Sequence, residues 1–164
     1  MNESPAFSSN LPIRNTVVLP LYSTRSEENK QVPAKSGLNQ WNASGRPRSY
    51  REVYIPIPTK VNEKFPDFFP NRETSFQLEL PNGTVLNSKV CQENNKALMS
   101  NPNTDLGEWV LEEVLGIPYG EVATYNHLIT AGIDSVEVEK INNTLYKINF
   151  LPLNSYQLFK NTLD

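Results

Sequence analysis

Phe76-Gln77-Leu78-Glu79-Leu80, Pro81-Asn82-Gly83 and Val85-Leu86-Asn87-Ser88-Lys89-Val90-Cys91 follow one another almost without interruption. The first run alternates apolar and polar residues, which sends its side chains to opposite faces of an extended chain. Asn-Gly between two such runs is the strongest short-range hairpin signal, because both residues tolerate the positive φ of a tight reversal. A β-hairpin is predicted here, and the flanking segments extend it. Glu93-Asn94-Asn95-Lys96 makes a second, polar tip, from which Ala97-Leu98-Met99 returns as a strand.

Upstream, Thr16-Val17-Val18-Leu19 and Leu21-Tyr22 read as a first strand, with Pro20 at an edge or bulge. Residues 24–50 lack apolar periodicity and read as a long polar loop around Trp41. Residues 52–57 form a second strand ended by Pro58. Residues 61–69 fit a short helix or turn broken by Pro66 and Pro70, with Phe65, Phe68 and Phe69 plugging one end of the core. Downstream, Asp105-Leu106-Gly107-Glu108 resembles a capping box before the apolar stripe Trp109, Val110, Leu111, Val114 and Leu115. Thr124 can cap a second helix over residues 125–131. Val136, Val138, Asn142-Asn143, Leu145, Tyr146, Ile148 and Phe150 make a final hairpin.

The 164 residues suit one domain, assigned to residues 16–164 behind a linker-like leader at 1–15. Thirteen Pro against seven Gly disfavour a helical bundle, since Pro in a helix interior costs about 3 kcal/mol. Seven Tyr, seven Phe and two Trp supply the bulk of a small core. Cys91 is the single cysteine, so no intramolecular disulfide framework and no zinc cluster can form. Neither a signal peptide nor an apolar run of membrane-spanning length occurs, so a cytoplasmic protein with no membrane partner is expected.

Catalytic chemistry is not legible. His127 is the only histidine, no Gly-x-Ser-x-Gly elbow accompanies it, and Leu128-Ile129 follow it where a phospholipase-D motif needs Lys. Glu28-Asn29-Lys30 is the one acidic-x-Lys element, in a polar loop. Glu112 and Glu113 point about 100° apart on a helix and cannot pair alone. Phosphate-cradling glycine motifs are missing. No catalytic residue, metal site or cofactor is predicted.

The net charge of −3 hides an uneven distribution. Residues 24–51 hold six Lys or Arg and two Glu, whereas residues 104–139 hold eight acidic residues and no Lys or Arg. The chain is expected to have a basic pole and an acidic back. Arg pairs bidentately with guanine, Asn and Gln with adenine, and Lys and Ser hold phosphates. The basic loop and the polar tip therefore suit DNA; solvated loops that merely satisfy turn geometry are the alternative.

Ser36-Gly37-Leu38-Asn39, Arg46-Pro47-Arg48-Ser49-Tyr50-Arg51-Glu52-Val53-Tyr54-Ile55-Pro56-Ile57-Pro58 and Phe65-Pro66-Asp67-Phe68-Phe69-Pro70 carry a resemblance. So do Phe76-x-Leu78-x-Leu80-Pro81-Asn82-Gly83, Lys89-Val90-Cys91-Gln92, Lys96-Ala97-Leu98-Met99-Ser100-Asn101-Pro102-Asn103 and Leu106-Gly107-x-Trp109. In this order they resemble the two halves of the DNA-recognition domain of BfiI-type restriction endonucleases, over roughly residues 16–150. The resemblance implies a mainly β, open seven-stranded pseudobarrel similar to the plant B-three domain, with two or three short helices. It implies two arms that grip the major groove of double-stranded DNA.

By matching motif, the first arm would run through Lys35, Asn39, Arg46, Arg48 and Arg51, and the second would be the turn Gln92, Asn94, Asn95 and Lys96. Arg25, Ser36, Trp41 and Lys89 complete the candidate contact set. Gln40-Trp41-Asn42-Ala43-Ser44 lengthens the first arm relative to the family's pattern. The resemblance also implies a type IIS, metal-independent enzyme whose phospholipase-D-like nuclease domain precedes this module in the same polypeptide. The isolated domain is expected to be monomeric and not an enzyme by itself. An effector- or ligand-binding barrel of a larger enzyme, or a stand-alone nuclease, are the competing readings.

Overall fold

A computed structural model describes residues 15–25, 28–72, 74–92 and 95–163; nearly all of the expected leader, and Asn94 of the second tip, lie outside them. Strand β1 (Thr16–Pro20) and the two-residue β2 (Ile55–Pro56) bracket the long polar segment. Helix α1 (Thr59–Lys64) leads to the predicted hairpin, β3 (Phe76–Glu79) and β4 (Val85–Cys91), and β5 (Ala97–Ser100) returns from the second tip. Helix α2 (Thr104–Gly107) continues as a π-helical stretch, Glu108–Val114. Helix α3 (Tyr125–Ala131), the long hairpin β6 (Ile133–Asn142) and β7 (Leu145–Pro152), and α4 (Ser155–Asn161) complete the order.

The period-two reading holds at the hairpin. Leu78 faces Leu86 across the ladder, Gly83 takes φ 89°, and Phe76, Leu78, Leu86 and Val90 point inward while Gln77 and Asn87 stay exposed. The seven strands run in the order β1-β6-β7-β3-β4-β5-β2, antiparallel except between β3 and β7. The end strands β1 and β2 lie against each other, so the sheet nearly closes into the expected pseudobarrel. Pro20 sits on the edge strand β1, where its missing N–H removes no ladder bond from a second neighbour.

One continuous core fills the barrel. Leu106, Trp109, Val110 and Leu111 seal it from the α2 side, and Phe68 and Phe69 pack edge-on at 4.9 Å against each other and over Tyr146. Phe65 joins less deeply, stacked on Phe159 at 6.1 Å. Burial pushes the Tyr146 phenol up from 10.0 to about 12, and its hydroxyl donates to the Phe68 carbonyl. The folded state therefore keeps a proton that the unfolded chain releases first, so this contribution to stability is complete below pH 10 and is lost as pH rises through about 12. Denaturation curves should show stability falling across that window, and Tyr146→Phe should flatten part of the fall.

Four local features depart from the sequence reading. The capping box expected over residues 105–108 does not form, because α2 already starts at Thr104 behind Asn103, which makes no side-chain cap bond. The strand over residues 52–57 shrinks to Ile55–Pro56, because neighbouring backbone groups bond elsewhere: Tyr54 N to Gly37 O at 3.2 Å, Ile57 N to Lys96 O at 2.9 Å. The segment Gly37–Asn42 is a 3-10 helix where a structureless loop was expected. Helix α4 was not expected at all; it starts after Asn154 at φ 73° and buries Tyr156, packing on β1 and β6.

Candidate nucleic-acid interface

The polar segment between β1 and β2 is built in two tiers. In the first, Ser23 N donates to Gln31 O at 2.8 Å, closing a short loop that carries Arg25 and Asn29. The second begins at Lys35 and Ser36, where Gly37 takes φ 59° and its carbonyl meets the Tyr54 amide. Opposite these tiers stands the β4–β5 tip. Three of its described residues are held through their carbonyls: Asn62 Nδ2 donates to Asn95 O at 3.0 Å, Arg72 Nη1 to Gln92 O at 3.4 Å, and Ile57 N to Lys96 O. Gln92 and Asn95 both adopt positive φ, 70° and 54°, which sharpens the turn.

Between the tiers and the tip lies a cleft of about 710 Å³. Arg25, Ser36 and Lys96 of the predicted contact residues reach its lining, and exposed Lys35 adjoins it in sequence. Ser23, Thr24, Asn29, Gln31 and Thr59 also line it and were missed. Their one sequence signal is polarity, which gives no period and could not reveal that Ser23 and Gln31 pair. Among the described residues the lining holds Arg25 and Lys96 and no carboxylate, in a chain with 18 Asp and Glu against 15 Lys and Arg.

The remaining candidates go elsewhere. Asn39 is fully buried: Nδ2 donates to Pro33 O at 2.8 Å and Ala123 O at 2.9 Å, and Oδ1 accepts from Ala123 N at 2.8 Å. Its expected role as a DNA contact is corrected: the bond to Pro33 closes the polar segment on itself, the two to Ala123 tie it to the chain before α3, and the side chain stays inside. Arg48 Nη1 donates to the carbonyls of Ala43 and Ser44 at 2.9 and 3.0 Å, folding the insert on itself. Arg46 pairs with Glu52 at 3.1 Å. Burial pushes the Glu52 carboxyl up, but the Ser49 amide and the Arg46 guanidinium outweigh it and hold it below its ordinary value.

Arg51 is engaged by Glu112 and, at 3.4 Å, by Glu108. Trp41 is half-buried and packs edge-on against Tyr50 at 4.7 Å, which in turn meets exposed Tyr119 at 4.7 Å. Lys89 lies half-buried on β4 opposite Met99. None of Asn39, Trp41, Arg46, Arg48, Arg51 and Lys89 lines the cleft. The expected basic pole and acidic back therefore meet one another: Arg51 reaches Glu112 and Glu108, and Lys30 reaches Asp134 at 3.6 Å.

His127 has a structural assignment. Its Nδ1 accepts from Thr124 N at 2.9 Å in a capping box at the start of α3, and its Nε2 lies 2.9 Å from Glu121, consistent with a proton on Nε2. Among the described residues no group of three His, Cys, Asp or Glu side chains could hold a metal ion, and no helix is long and apolar enough to cross a membrane.

Comparison with curated proteins returns no match. A family model described as the NgoFVII C-terminal B3-like DNA-binding domain matches residues 14–142, a span that takes in β1, both tiers of the polar segment and the β4–β5 tip. On that match and on the seven-stranded pseudobarrel, the chain belongs to the family of B3-like DNA-binding domains of restriction enzymes.

Proposed function

We propose that the chain recognises a short duplex sequence by seating the major groove in the cleft between the Arg25 loop and the β4–β5 tip. The two walls act as the two arms of the grip. The observation that carries this is the charge of the lining: basic groups face the cleft from both walls, and the described lining residues include no carboxylate. A duplex presents about one phosphate charge per 1.7 Å, so such a cleft attracts it even in a chain of net charge −3.

Arg25 in the lining, and Gln92 and Asn95, which lie outside the lining but share the tip with Lys96, are proposed to read base edges, with Lys35, Ser36 and Lys96 on phosphates. Arg46, Arg48 and Arg51, each held by protein acceptors, are proposed to shape the arm from behind. The recognition module positions a separate phospholipase-D-like nuclease of the same polypeptide, as in BfiI-type enzymes, to cut nearby. This assignment is supported by the motif resemblance and by the absence of a legible catalytic set.

Random-site selection with the purified protein tests the reading. One enriched motif is expected, bound with strong salt dependence and left uncut with or without magnesium. Arg25→Ala should cost about 1–3 kcal/mol on that duplex and relax preference at one position. Lys35→Ala and Lys96→Ala should weaken selected and random duplexes alike, each lowering the salt slope by about one unit. Failure to enrich any motif would favour an effector-binding barrel instead, and plasmid nicking that follows the protein peak through two columns would favour a nuclease.

A further inference from the structure

We propose that Asp134 is a positioning residue for DNA recognition, anchoring both feet of the Arg25 loop to the barrel; the inference rests on the reading of the cleft as the DNA site. Asp134 is fully buried at the start of β6 and does not line the cleft. The loop leaves β1 through Leu21, whose N–H donates to the Asp134 main-chain carbonyl at 2.9 Å, a bond that Asp134→Asn keeps, so the side-chain variants test the second foot. It returns through Lys30, whose Nζ lies 3.6 Å from Asp134 Oδ2 and donates to Asn154 Oδ1 at 2.6 Å.

The carboxylate is itself held by three elements. Tyr125 Oη from α3 donates to Oδ2 at 2.6 Å, Ser135 Oγ from β6 to Oδ1 at 3.0 Å, and Asn154 N from the turn before α4 to Oδ1 at 3.1 Å. Lys30 Nζ also lies 5.0 Å from the centre of the Tyr22 ring, which lines the cleft. A buried carboxylate with this set of donors and one cation has a single arrangement, because any departure leaves a charge or a donor unpaired in low dielectric. With Leu21 and Lys30 fixed this way, Arg25 has less conformational freedom to lose when DNA binds.

Charge alone makes the opposite forecast. Asp134→Asn removes a negative charge near the cleft and would, by electrostatics, tighten binding to every duplex. Positioning instead predicts that the ratio of affinities for the selected over a random duplex falls about tenfold, within the worth of one base contact. Lys30→Met, on the far side of the pair and of opposite charge, should lower the ratio equally, and the double variant no further, since the two act as one unit.

The measurement is titration of the whole chain against both duplexes at several salt concentrations, with thermal melts of each variant. If Asp134→Asn melts below the assay temperature, Lys30→Met and Asn154→Ala carry the test, and unchanged selectivity in both overturns the proposal. Arg25→Ala and Lys96→Ala separate the two levels of inference. If they weaken binding while the Asp134 and Lys30 variants keep full selectivity, the positioning role is wrong and the cleft reading stands. If neither cleft variant changes DNA affinity, both fall.

Discussion

Trp109→Ala is expected to lose about 3–5 kcal/mol of stability, the cost of removing a large aromatic from a packed core. The indole is 4% exposed and tilts against Phe150 with ring centroids 4.4 Å apart, joining the helix after α2 to strand β7. Leu106, Val110 and Leu111 beside it are completely buried, so the residues around the vacated volume already belong to a closed core. In a chain of this length such a loss lowers the melting temperature by roughly 6–20 °C. DNA selectivity of the folded fraction should be unchanged, because Trp109 does not line the cleft. A protein with an unchanged melt and abolished DNA binding would instead put the ring at the interface.

The same helix was legible in the sequence because its apolar stripe is local, and the β3–β4 hairpin because Asn82-Gly83 follows a run of strict alternation and precedes a second extended run. Local periodicity carries over to the fold wherever the partners of a segment are also regular. The long polar segment fails on this point. Asn39 bonds Ala123, 84 residues away, and no pattern within residues 24–50 distinguishes that buried carboxamide from an exposed one. Arg51 was legible as a basic residue but not as an occupied one, since Glu108 and Glu112 belong to the other half of the chain. Charge counted along a sequence treats such pairs as two poles, whereas the fold brings them together. What survives as the candidate contact set is Arg25, Lys35, Ser36 and Lys96 with the tip, of which Arg25, Ser36 and Lys96 line the cleft.

Gly107→Ala is expected to be as damaging as the loss of Trp109, for a reason that lies in the backbone. A Cβ at residue 107 would sit 1.7 Å from the Arg51 carbonyl oxygen and 2.5 Å from its carbonyl carbon. No rotamer change relieves a clash between a Cβ and a main chain, so either α2 or the Arg51 segment must move. Neither is loose. Arg51 already stands at φ 86°, a conformation that costs a non-glycine residue about 1–3 kcal/mol and persists only where its surroundings enforce it. Those surroundings are the ion pairs from Arg51 to Glu112 and Glu108, on the π-helical turns just after Gly107, and the neighbouring buried residues Val53 and Leu106. Separating the two segments would stretch the ion pairs and open the core beside Leu106 at once. A destabilisation of about 3 kcal/mol or more follows, at the upper end of overpacking. Glu113→Ala, exposed on the same helix, should stay within about 0.5 kcal/mol and serves as the control. Chemical denaturation of the two variants against the parent decides the matter: equal midpoints for Gly107→Ala and the parent would mean that α2 does not rest on the Arg51 backbone.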